Sequence, residues 1–255
     1  MGVLSEILAK KQSELPALRA LALPAPPARR EVSLSRAHNA GRLSLITEIK
    51  RRAPSAGKLS TVLSVAERAR AYERAGASML SVLCDTHFFD GAYQHLQEAR
   101  AVTTLPLLCK EFVIDESQLD AARAFGADAV LLIVRCLTPT RTIELVAAAR
   151  ARQLTPFVEV ATEDEVKVAL DSGADLIGVN ARNLDTLVMD AERAARVLAA
   201  IPDSIVRVHL SGLGNPADVT RIRQSGADAA LVGEALMRAD DPEPLLRSLV
   251  EAARA

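Results

Sequence analysis

Tryptophan is missing from this chain of 255 residues, tyrosine occurs twice and phenylalanine five times. So few rings offer little for stacking bases, and 31 basic against 32 acidic residues supply no basic field to hold a phosphate backbone. Nucleic acid is not an expected partner. Cysteine is scarce too: Cys84, Cys109 and Cys136 are an odd set with no CxxC pair. That excludes a disulfide framework or a zinc knuckle and fits buried thiols in a reducing compartment. Four histidines, at 38, 87, 95 and 209, show neither HxH nor HExxH spacing, so no metal is expected. No run approaches the roughly 18 apolar residues of a membrane span. The opening MGVLSEILAKKQSEL carries Glu6 and two lysines where a signal peptide needs an apolar run. A soluble, cytoplasmic protein is expected.

What is present is an ordinary globular balance, 49% apolar and 25% charged, with ample material for a core. The length fits one or two ordinary domains, or a single α/β barrel of about 250 residues. An internal echo chooses between them. Four times a helical pattern ends in Gly-Ala and a hydrophobic run follows: AGASMLSVL, FGADAVLLIV, SGADLIGVN and SGADAALVG. The glycines stand at 76, 126, 173 and 226, at intervals of 50, 47 and 53. Each suits the left-handed position that closes a helix, and each apolar run suits a strand buried on both faces. One βα unit needs roughly half such an interval, so each interval holds two. The missing strands are LSLITEI (43–49), PLLCKEF (106–112), TPFVEV (155–160) and SIVRVHL (204–210), with helical patterns such as VAERARAYERAG, IELVAAARARQ and ADVTRIRQSG between strands. Eight βα units predict a closed (β/α)8 TIM barrel. The alternative, an open doubly wound sheet, wants a GxGxxG loop after an early strand, and the first strand is followed by RRAPSAGK. Residues 1–42 stand outside the repeat as an N-terminal helical extension of the same single domain, 1–255. Leu4, Ile7, Leu8 and Leu15 form an apolar face suited to packing on the barrel.

Barrel enzymes draw their chemistry from the C-terminal ends of the strands. Strand one ends in Glu48 and Lys50, two apart and so on one face; strand three ends in Lys110-Glu111; strand five carries Glu159; strand six ends in Asn180 and Arg182. Taken singly, each reads equally well as a strand-end salt bridge. Together, closure converges them, and two carboxylates with two lysines in one mouth suit proton transfer. Ser211-Gly212-Leu213-Gly214 after strand seven and Gly233-Glu234 after strand eight match the phosphate cradle of such barrels, and Ser55 of the strand-one loop adds a hydroxyl. A phosphorylated small molecule is the implied substrate.

The segments EIKRRAPSAG, FFDG, LLCKEFVID, FVEV, IGVNARNL, LSGL and LVGEALM, in that order, resemble indole-3-glycerol phosphate synthase along essentially the whole chain. The resemblance implies a carboxy-lyase of tryptophan biosynthesis that needs no cofactor. It would close the ring of 1-(2-carboxyphenylamino)-1-deoxyribulose 5-phosphate with loss of carbon dioxide and water. By the same resemblance Lys110 is the general acid, Glu159 and Glu48 serve the later dehydration, and Lys50 pairs with a substrate anion or acts as an acid. Asn180 orients hydroxyls. Arg182, Ser211, Gly212, Gly233 and Glu234 hold phosphate with Lys50 and Ser55. Phe88, Phe89, Phe112, Leu131, Leu184, Leu187 and Leu210 form the slot for the aromatic ring, although each apolar residue also reads as plain core. No macromolecular partner is implied, and no contact with other tryptophan-pathway enzymes is established.

Two segments depart from the family. It usually reads Ser-Glu-Ser-Gly after strand seven, where this chain has His209-Leu210-Ser211-Gly212, so a carboxylate is absent. His209 replaces it only if a bulge turns it inward. The strand-one loop reads APSAG where the family commonly has SPSKG. Two other readings follow: a paralogue that binds the ligand with weakened catalysis, or a phosphoribosylanthranilate isomerase-like barrel.

Overall fold

The computed structural model describes residues 2–35, 41–53, 57–184 and 186–254. Eight strands form a closed parallel barrel: β1 (Ser44–Ile49), β2 (Met79–Leu83), β3 (Leu107–Lys110), β4 (Ala129–Ile133), β5 (Thr155–Val160), β6 (Leu176–Asn180), β7 (Val206–Leu210) and β8 (Ala229–Val232). Neighbours in sequence are neighbours in the sheet, and β1 pairs with both β2 and β8 to close it. The helices are α1 (Val3–Arg19) before the barrel, then α2 (Val65–Ala75), α3 (Thr86–Phe89), α4 (Tyr93–Arg100), α5 (Glu116–Ala124), α6 (Pro139–Ala151), α7 (Glu163–Asp171), α8 (Ala191–Ala199), α9 (Pro216–Gln224), α10 (Glu234–Arg238) and α11 (Glu243–Arg254). A two-residue ladder, Arg52–Ala53 with Gly57–Lys58, follows β1. No helix among the described residues is long and apolar enough to cross a membrane.

The echo has the predicted cause. Gly76, Gly126, Gly173 and Gly226 all have positive φ, between 74° and 104°, where a Cβ is penalised. At the other ends, Ser64, Asp115, Thr138, Thr162, Asp190 and Asn215 cap helices by accepting backbone N–H bonds. Strand alternation then sorts side chains into two cores. Leu45, Leu80, Val82, Val130, Leu132, Ile177 and Val179 face the helices. Ile46, Met79, Leu108, Leu131, Phe157, Leu176, Val208, Leu210 and Leu231 fill the barrel.

The N-terminal extension contacts both ends of that inner core. Leu4 and Ile7 of α1 join it at the mouth, and Leu34 joins it near the start of β1, where Ser44 Oγ donates to the Leu34 carbonyl. Between them the chain is tied down by Arg123 to the Pro27 carbonyl (2.6 Å) and by Arg100 to that of Ala28. The buried Asp128 receives the Arg30 N–H at 2.7 Å.

Candidate functional site

Strand parity delivers the site. The inward positions at the C-terminal ends are Glu48 and Lys50, Leu83, Lys110 and Phe112, Ile133, Glu159, Asn180 and Arg182, Leu210, and Gly233, and all of them line one cavity of about 500 Å³. Its floor is an ionic network. Lys110 Nζ lies 3.6 Å from Glu159 Oε2 and 3.9 Å from Glu48 Oε2, and Lys50 Nζ lies 2.9 Å from Glu48 Oε1. Both carboxylates are buried, and buried charges persist only when paired. Burial pushes the Glu48 carboxyl up, but Lys50 and Lys110 outweigh it and hold the group below the usual carboxylate range.

Asn180 orders the far side. Its Nδ2 donates to Glu159 Oε1 at 2.9 Å, while its Oδ1 accepts from Ser211 Oγ and the Arg182 N–H, both at 3.0 Å. The amide orientation is thereby fixed, and Glu159 keeps one oxygen toward Lys110. Gly233 earns its place by proximity: a Cβ there would stand 2.7 Å from Glu48 Oε1 and 3.1 Å from Glu48 Cβ. Beyond the floor, Ser211 to Gly214 and Gly233 to Ala235 form one rim of the cavity. Arg182 reaches Glu234 at 3.7 Å, and Arg238 holds the same carboxylate at 2.8 Å and keeps it below its ordinary range.

The rest of the lining is apolar: Phe89, Phe112, Leu131, Leu184, Leu187 and Leu210, with Val3, Leu4 and Ile7 of α1. The Phe89 and Phe112 rings stand 6.0 Å apart. Of Phe88 and Phe89, Phe89 lines the cavity, while Phe88 packs edge-on against His87 and on the inner core. Ser55 lies outside the described residues. His209 points away from the cavity, between β7 and α9, with its Nε2 donating to the Ser211 carbonyl at 3.1 Å, so it does not replace the absent carboxylate. Leu210 faces inward, against Phe157 and over Gly178.

Sequence reasoning missed a second charged cluster beside the first. Lys11 of α1 is buried, 2.7 Å from Asp85 Oδ2 and 3.2 Å from Glu111 Oε2, with Glu14 at 2.7 Å. Asp85 and Glu111 both follow strand C-terminal ends, which was the available signal. In α1 the signal was position: Lys11 falls four residues from both Ile7 and Leu15, on the apolar face of the helix.

The family model described as indole-3-glycerol phosphate synthase matches residues 4–249. Among curated relatives, the indole-3-glycerol phosphate synthase of an Exiguobacterium species is 41% identical over 249 residues, covering 98% of this chain and 96% of that one. Indole-3-glycerol phosphate synthase 2 of Streptomyces coelicolor is 42% identical, covering 98% and 99%. Solved structures share the fold at low identity. A 3-hexulose-6-phosphate synthase from Salmonella typhimurium gives a TM-score of 0.66 at 15% identity, covering 83% of this chain and 99% of that one. A thiamine phosphate pyrophosphorylase from Pyrococcus furiosus gives 0.62 at 22%, covering 83% and 96%.

Proposed function

The chain belongs to the indole-3-glycerol phosphate synthase family, and from that premise we propose how its mouth carries out the reaction. The substrate is 1-(2-carboxyphenylamino)-1-deoxyribulose 5-phosphate, whose three parts correspond to the three walls. The phosphate is assigned to the rim of Ser211, Gly212 and Gly233 with Arg182, and the aromatic ring to the apolar wall. That leaves the ribulose carbonyl over Lys110.

One observation carries this reading: a single ammonium, Lys110, lies between two buried carboxylates at 3.6 and 3.9 Å. Lys110 gives its proton to the carbonyl oxygen as the ring carbon attacks, so no full negative charge develops there. The ring carbon then loses its carboxyl group as carbon dioxide. That loss restores the benzene ring; in the dehydration, the hydroxyl formed from the carbonyl takes a second proton and leaves as water, and the adjacent methylene carbon gives up a proton to complete the indole. Glu48, held ionised by two lysines, suits the base of that step. Glu159, hydrogen-bonded to Asn180 and adjacent to Lys110, suits delivery of the second proton to the departing hydroxyl. Lys50 steadies Glu48 and faces the substrate's anionic groups. None of these steps calls on a cofactor, and a soluble cytoplasmic setting is part of the proposal.

The test is appearance of fluorescent indole-3-glycerol phosphate when the purified chain meets this substrate. Lys110→Met is expected to lower kcat by at least about 10³-fold while substrate affinity stays within about tenfold, because general acid catalysis acts on the transition state. Absence of product from the folded wild-type chain would overturn the proposal. If product then appeared only with Leu210→Glu, the chain would be a ligand-binding paralogue disabled by an apolar side chain where the family has a carboxylate. Isomerisation of phosphoribosylanthranilate without release of carbon dioxide would mark the isomerase-like alternative.

A further inference from the structure

Three walls of the aromatic slot come from segments far apart in the chain: α1 with Val3, Leu4 and Ile7, α3 with Phe89, and the turn after β3 with Phe112. One ammonium touches all three segments. Lys11 sits on the face of α1 that carries Leu4, Ile7 and Leu15, and all four side chains are buried. Its Asp85 partner accepts the Phe88 and Phe89 N–H bonds at 2.6 and 3.2 Å, so the same carboxylate that pairs with Lys11 starts α3. Its Glu111 partner accepts the Phe112 N–H at 2.7 Å and directly follows Lys110 in the chain.

We infer that Lys11 is a positioning residue, holding α1 and the Phe89 and Phe112 segments together as a slot for the aromatic ring of the substrate. The inference rests on the proposed reaction and deepens it by giving the slot a mechanical origin. The charge balance explains why the tie is strong. Asp85 and Glu111 are both buried, at 0% and 3% exposure, and Lys11 is the cation both of them contact. Burial pushes the Glu111 carboxyl up to about 7, against the pull of Lys11 and with Asp85 adding to the rise. Without Lys11 the two buried carboxylates have no shared counter-charge, so Glu111 takes up a proton or the segments separate, and either response breaks the tie between α1, α3 and the turn after β3. Glu111 follows Lys110 in the chain, but alternation turns its side chain away from Lys110 and toward Lys11, and among the described residues no ion pair joins Lys110 or Glu159 to Lys11, Asp85 or Glu111. Loss of the tie therefore acts on binding of the ring before it acts on proton transfer.

Lys11→Met keeps the length and helix propensity of the side chain and removes the charge. Expected is a KM for the carboxyphenylamino substrate about tenfold higher, with kcat within about threefold of wild type. In the free chain, amide exchange across residues 3–19 should quicken by about 100-fold while β1 to β8 stay protected. The double variant Lys11→Met, Glu111→Gln removes one of the two stranded charges and keeps an acceptor for the Phe112 N–H. It is expected to recover KM to within about threefold of wild type and to slow exchange in α1. The double variant carries the same prediction if the single one does not fold. An unchanged KM, a fall in kcat with KM unchanged, lost protection of the strands in the folded variants, or a double variant worse than the single would each overturn the inference. Wild-type protein without turnover would sink the proposed reaction instead. Fluorescence titration with anthranilate alone then reads the slot: weaker binding by Lys11→Met supports the positioning role, and equal binding refutes it.

Discussion

At the level of single residues, the site depends as much on what is small as on what is charged. Gly233 has a negative φ, −126°, so it is not a left-handed backbone that calls for glycine; space forbids a side chain there. A Cβ would press on Glu48 at both its carboxylate and its own Cβ, and Glu48 is pinned by Lys50. Gly233→Ala is therefore expected to turn Glu48 out of its pairing and lower kcat/KM by about 10- to 100-fold, since misplacement by an ångström costs that much. The stability cost should stay near 1–3 kcal/mol, typical of overpacking. Steady-state kinetics beside urea denaturation checks this, and wild-type activity in a folded variant would refute it. The sequence marked Glu48, Lys50, Lys110, Glu159, Asn180 and Arg182 because charged and amide groups stand out at the ends of apolar strands. It marked Gly233 for a different reason, as a phosphate-loop residue. The steric reason depends on β1 and β8 being neighbours, a fact of closure that no local pattern contains.

At the level of elements, strand parity does most of the sorting, and β7 shows it against an exception. Val206, Val208 and Leu210 face the interior, so His209 must face α9. There burial pushes its imidazole down to about 4, with the Ser211 carbonyl and Asp218 opposing the fall and Arg221 adding to it. The sign of the consequence is fixed by linkage. The unfolded chain takes up the proton near pH 6.5 and the folded chain only near 4, so stability is full above pH 6.5 and declines as pH falls between those values. Between pH 7.5 and pH 5 the loss from this residue should be about 2 kcal/mol. His209→Gln retains a donor for the Ser211 carbonyl and does not titrate, so that increment should vanish from urea denaturation curves compared at the two pH values. An equal loss in both proteins would show that His209 is not the source. Parity was legible from sequence, and so was the outward direction of His209. The degree of its burial was not, because it depends on how closely α9, the helix that follows β7, packs back over the strand.

At the level of the whole molecule, the repeat period made the barrel legible, whereas the path of the extension was not. LPAPPARR reads as a stiff spacer, but what it docks on is set by residues 70 to 130 positions away. Asp128, the last residue of one Gly-Ala-Asp echo, explains the docking. It is fully buried at the N-terminal edge of β4, where it accepts from the Leu107 N–H of β3 at 2.9 Å, from Arg100 at 2.6 Å and from the Arg30 N–H at 2.7 Å. One carboxylate thus joins the extension, α4 and the start of β3, at the opposite end of the strands from Lys110. Asp128→Asn leaves Arg100 facing a neutral amide in a buried position, and breaking such a pair costs about 3–5 kcal/mol. The expected result is an unfolding free energy, from urea denaturation, lowered by that amount, and readier proteolysis within residues 20–35. At a temperature where both proteins are folded, kcat should remain within about twofold, because the altered contacts lie at the barrel end that carries no chemistry. A variant of undiminished stability, or one whose kcat collapses while it stays folded, would show that the two ends of this barrel are not separated in the way its architecture implies.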